Sequence, residues 1–206
     1  MSSKTRIVAT LNCLLSMTAF SIFTTTKTVL SQTTSLDCIK EAESYFDAAL
    51  FGNSNTKEKA VSLATELCRE YQTPETVICA KEAQKLFENV LFGNYSNEER
   101  KERSTILAVE LCKIAGTKQS VICAKEAHNF LDNSFFGILN NEEKADRSTN
   151  LAVDLCRIGG TNEAVTCVKK AYQGFDEILV GSDLSINERR MQALERAVEF
   201  CRQGDW

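Results

Sequence analysis

An all-α fold of four tandem helical hairpins, each stapled by a disulfide and stacked as an α-solenoid or compact helical array, is what this sequence predicts. Three observations carry that expectation. A seven-residue motif returns at a fixed step of 44 residues, apolar side chains recur at helical spacing within every copy, and every copy holds two cysteines.

The first element is set apart by charge. Residues 1–31 contain no Asp or Glu, and Lys4 and Arg6 precede an apolar run from Ile7 to Phe23, which is the layout of a secretory signal peptide. Val29 and Ser31 place the expected cut before Gln32. Cleavage discards Cys13 and leaves residues 32–206 as a repeat domain with eight cysteines, an even number suited to pairing in an oxidising compartment. The expected location is secreted or periplasmic, with no stable membrane span after cleavage. The cut also removes three of the 24 basic residues and none of the 28 acidic ones, so the net charge becomes −7. With that balance and no basic stripe, no nucleic-acid partner is expected.

The repeats follow in register. Val77-Ile78-Cys79-Ala80-Lys81-Glu82-Ala83 returns as Val121-Ile122-Cys123-Ala124-Lys125-Glu126-Ala127 and, more loosely, as Val165-Thr166-Cys167-Val168-Lys169-Lys170-Ala171. An earlier copy begins at Cys38-Ile39-Lys40-Glu41-Ala42. The four repeats span about 35–73, 74–117, 118–161 and 162–206. Cys79, Ala83, Leu86, Phe87, Val90 and Leu91 trace one helical stripe, and Ile106, Leu107, Val109, Leu111 and Cys112 a second, so each copy is two helices.

Helix ends are marked as well. Gly52, Gly93, Gly137 and Gly181 follow the first helix and suit a left-handed cap. Asn55 with Glu58, Ser96 with Glu99, Asn140 with Glu143 and Ser185 with Glu188 read as capping boxes opening the second helix. Thr73-Pro74, Thr117 and Thr161 open the next repeat, with Gly116 and Gly160 reading as caps before the last two. Such short links make neighbouring helices antiparallel, and hairpins that cannot bury their own stripe must stack, as a curved right-handed solenoid or a more globular bundle.

The cysteines fall early in the first helix and late in the second: Cys38 and Cys68, Cys79 and Cys112, Cys123 and Cys156, Cys167 and Cys201. From first cysteine to glycine is 14 residues and from Ser96 to Cys112 is 16, about 21 and 24 Å of helix. The two sulfurs of a repeat therefore end at nearly the same level, and intra-repeat bridges are expected. A rival scheme joins Cys68 to Cys79, Cys112 to Cys123 and Cys156 to Cys167; heights alone do not exclude it, but it strands Cys38 and Cys201.

No catalytic constellation is found, and neither a metal nor a cofactor is expected. There is no Cys-x-x-Cys pair, and His128 is the sole imidazole. It stands where Glu43, Gln84 and Tyr172 stand in other copies, so it is read as exposed. Phe51, Phe92 and Phe136, each before a tip glycine, are read as a ladder that packs hairpin on hairpin, with Leu50, Leu91 and Phe135 beside them. What repeats in register looks structural, and what varies marks a binding surface: Tyr95, His128, Asn129 and Tyr172, together with Trp206 and a third-repeat insert, Ile138-Leu139.

The architecture is similar in kind to secreted helical repeats with disulfide-bearing hairpins and, more distantly, to tetratricopeptide and Sel1-like solenoids. The Trp, Tyr and Pro signature of the former is missing, and no functional residue transfers from either. The expected function is a non-enzymatic exported scaffold that binds a protein or peptide partner. The alternative is an apolar-ligand carrier with a cavity lined by Phe92, Phe135 and Phe136.

Overall fold

The structure is a computed structural model that describes residues 23–51, 55–114, 116–158 and 160–202, with side chains from residue 35 onward. Eight α-helices account for the regular structure of these residues: α1 (Phe23–Ala49), α2 (Thr56–Leu67), α3 (Pro74–Val90), α4 (Asn97–Cys112), α5 (Lys118–Ser134), α6 (Asn141–Cys156), α7 (Asn162–Ile178) and α8 (Ile186–Arg202). Among the described residues there is no strand, and no helix is long and apolar enough to cross a membrane. Residues 1–22 of the expected signal peptide lie outside the described residues, as do Gly52 and Trp206, while the bond between Ser31 and Gln32 falls within α1.

Each hairpin packs most extensively on itself, α1 on α2, α3 on α4, α5 on α6 and α7 on α8. Hairpins then meet like with like. The first helices α1, α3, α5 and α7 lie side by side in one layer and the second helices α2, α4, α6 and α8 in another, each touching chiefly its neighbour one repeat away. This is the nearest-neighbour stacking of a helical array.

Small residues at the crossings let the layers approach: Ala42, Ala83 and Ala127 in the first helices, and Ala64, Ala108, Ala152 and Ala197 in the second, are buried. Larger side chains fill the ends, with Phe46, Phe87, Leu131, Leu50, Leu91 and Phe135 fully enclosed. Removing any of these leaves a cavity in a close-packed interior.

All four disulfides are intra-repeat. Cys38 joins Cys68, Cys79 joins Cys112, Cys123 joins Cys156 and Cys167 joins Cys201, with Cα separations of 6.0, 5.9, 5.8 and 5.8 Å. The equal heights reckoned from helix rise place the sulfurs together, and the pairing that crosses repeat boundaries is overturned.

The ends of the helices hold two matches and two departures. Gly93, Gly137 and Gly181 take φ of +87°, +77° and +92°, the left-handed turn that lets the chain leave α3, α5 and α7. Gly116 and Gly160 are not left-handed. They are required for space, because a Cβ at either would fall onto the backbone of Cys112 or Cys156. The second departure is Asn55, whose side chain makes no capping bond and whose backbone is itself left-handed at φ 56°. The other three caps form: Ser96 Oγ accepts from Glu99 N at 3.3 Å, Asn140 Oδ1 from Glu143 N at 2.9 Å, and Ser185 exchanges bonds with Glu188 in both directions.

Two ion-pair series repeat with the fold. Across the last three tips an acid late in the first helix meets a base early in the second: Glu88 with Arg100, Asp132 with Lys144, Asp176 with Arg189. Between successive second helices, Lys59 meets Glu102, Arg103 meets Asp146 and Arg147 meets Glu195.

Candidate functional site

The hairpin tips present a surface that the sequence reading placed in the core. Phe51, Phe92 and Phe136 are 78%, 73% and 77% exposed, while their predecessors Leu50, Leu91 and Phe135 are fully buried. Helical phase is the cause. Phe46 to Leu50, Phe87 to Leu91 and Leu131 to Phe135 are steps of four residues along one face, and the next residue turns about 100° away from it. Phe135 is sealed in the core while Phe92 and Phe136 face solvent, so the three do not line one cavity.

The exposed rings are held from one side. The Arg100 guanidinium lies 4.9 Å from the Phe92 ring centre and the Lys144 ammonium 5.8 Å from that of Phe136, each a base already engaged in the ion pair across its tip. The fourth tip carries Val180, also exposed. One large apolar side chain therefore projects at every described tip, beside the acidic first turns of α4 and α6 with Glu98, Glu99, Glu142 and Glu143.

The four residues singled out by variation are not one surface. Tyr95, in the turn before α4, is half-buried under Arg103, whose guanidinium lies 4.2 Å from its ring and reaches Asp146 at 3.0 Å. Burial, followed by the bond and charge of Asp146, drives its phenol far above the usual tyrosine range. Tyr172 packs edge-on against Phe130 with ring centres 6.2 Å apart. Asn129 is exposed. The expected insert Ile138-Leu139 occupies the positions of Asn94 and Tyr95 with no change of register, and Leu139 packs against the core.

His128 is the correction. It is 8% exposed, not a surface group, because it lies four residues after Ala124 and three before Leu131 on the buried face of α5. Neither imidazole nitrogen makes a hydrogen bond of normal geometry, although the Asn129 side chain lies near enough to favour its protonated form. Burial lowers its pKa below the ordinary histidine value. With Asn129 it lines a groove of about 420 Å³ between α3 and α5, whose other walls are Leu86, Asn89, Val90, Val121, Ile122 and Lys125. Periodicity could have found this position, since Gln84, its counterpart, is buried too.

Among the described residues no cluster of His, Cys, Asp and Glu could hold a metal ion. No known protein family, no curated protein and no solved structure matches the chain.

Proposed function

We propose that the chain is an exported, non-catalytic scaffold that binds a protein or peptide partner through the row of hairpin tips. The observation that supports this reading most is the exposure of Phe51, Phe92 and Phe136, one per hairpin. These rings lie outside the core, and exposed apolar side chains that recur in a row mark interaction surfaces. Four intramolecular disulfides support an oxidising compartment, outside the cytoplasm.

The test is affinity capture from the exported fraction of the native host, with wild type against a Phe51→Ser/Phe92→Ser/Phe136→Ser variant. The variant keeps the wild-type thermal midpoint, because none of the three rings is buried, and loses a partner held at micromolar affinity. Equal recovery by both proteins, or no partner for either, removes this reading.

A further inference from the structure

The first helices of neighbouring hairpins meet along three seams, α1 with α3, α3 with α5 and α5 with α7. The same three positions build each seam. Seven residues after its first cysteine, the earlier helix contributes Tyr45, Leu86 or Phe130; two and five residues after its own, the later helix contributes Lys81 and Gln84, Lys125 and His128, or Lys169 and Tyr172.

In the first seam Tyr45 fills the space. Its ring lies beneath the Lys81 ammonium at 5.6 Å and its hydroxyl donates to Gln84 Oε1 at 2.9 Å. In the third seam the Phe130 ring lies 5.8 Å from the Lys169 ammonium and meets the Tyr172 ring edge-on. The middle seam has the later pair, Lys125 and His128, but no ring, because Leu86 stands where Tyr45 and Phe130 stand. The groove of about 420 Å³ lies there, within the roughly 300–1,000 Å³ of small-molecule sites.

His128 is left with an unmet need in this seam. Gln84 donates to Glu88 at 2.9 Å, but Asp132, the residue in the place of Glu88, is held by Lys144 at 3.0 Å. Asn129 lies beside the ring without a bond of normal geometry, and a nine-tenths buried imidazole with neither nitrogen well bonded is costly unless something supplies the bond.

We infer that the groove between α3 and α5 is a binding site for a hydroxylated aromatic ring, which takes the place that Tyr45 fills in the first seam. The ring lies against Leu86, Val90, Val121 and Ile122 beneath the Lys125 ammonium, and its hydroxyl bonds to His128. A free phenol and a tyrosine side chain on a peptide share this chemistry. The site does not depend on the hairpin tips and stands or falls separately from them.

The test is titration of the oxidised protein with p-cresol, toluene and N-acetyl-tyrosine amide, followed by amide chemical shifts. The expected result is that p-cresol at millimolar concentration shifts residues of α3 and α5 around Leu86 and His128. It should bind about fivefold more tightly than toluene, the difference one hydrogen bond makes. Leu86→Tyr fills the groove from within, raises the thermal midpoint and abolishes the shifts. His128→Leu, which keeps the groove, brings p-cresol down to the affinity of toluene. Binding of p-cresol alone identifies a free phenol as the natural source, and binding of both phenols a peptidyl tyrosine. Absence of shifts on α3 and α5, shifts that persist in a folded Leu86→Tyr protein, or equal binding of p-cresol and toluene overturns the site.

Discussion

Gly116 and Gly174 show how one substitution changes sign with its surroundings. A Cβ at Gly116 would collide with backbone atoms of Cys112, which belong to a bridged helix end and cannot yield. Gly116→Ala should lower stability by about 1–3 kcal/mol in urea unfolding. Gly174 lies inside α7 with nothing within 4 Å of an added Cβ, so Gly174→Ala should raise stability by about 0.5–1 kcal/mol through helix propensity. His128 supplies a pH dependence at the same scale. Burial chiefly, aided by the Lys144 charge and opposed by Asp132 and the Asn129 side chain, holds its folded-state pKa below 6.5. Between that lowered value and 6.5 the unfolded chain binds a proton that the folded chain refuses, so stability rises with pH across this window and falls on acidification. The urea midpoint of wild type should drop between pH 7.5 and 5.5 by more than that of His128→Gln, and equal drops would contradict the assignment.

At the scale of the helix, ends matter more than interiors. Asn140→Ala removes the bond to Glu143 N and should cost about 1 kcal/mol. Asn55 caps nothing and stands left-handed, so Asn55→Gly should leave the unfolding midpoint unchanged or raised. The helix pairs, three of the second-helix caps and the cysteine pairing were legible from spacing, because each rests on a local rule read four times over. The outward turn of Phe92 was not read, since a Leu-Phe-Gly run looks uniformly apolar and only counting from Phe87 shows which residue faces inward. Burial of His128 was missed because Glu43, Gln84 and Tyr172, its counterparts, suggested a polar surface, whereas in the later repeats this place on the helix faces the preceding hairpin. The groove beside it was hidden for a further reason: it arises from residues one repeat apart, Leu86 and His128, which no single-copy motif compares.

At the scale of the whole chain, stability is divided between covalent closure within hairpins and side-chain packing between them. Each bridge spans 30 to 34 residues and contributes about 4 kcal/mol in the chain-entropy account. A Cys79→Ala/Cys112→Ala protein should unfold with that loss while its other three bridges stay intact, as the urea midpoint and the mass after thiol labelling would report. Packing between hairpins, with the ion pairs Lys59 to Glu102 and Arg103 to Asp146 at its rim, carries no covalent link. Under tension this distinction has a mechanical consequence. Force applied at Cys38 and Cys201 is carried through the sulfurs past every closed loop, so only the three 11-residue segments from Cys68 to Cys79, Cys112 to Cys123 and Cys156 to Cys167 can pay out chain. Each yields at most about 40 Å. Under such load the oxidised chain should behave as four links whose total length is capped until reduction releases it, and single-molecule stretching with and without reductant would measure both limits.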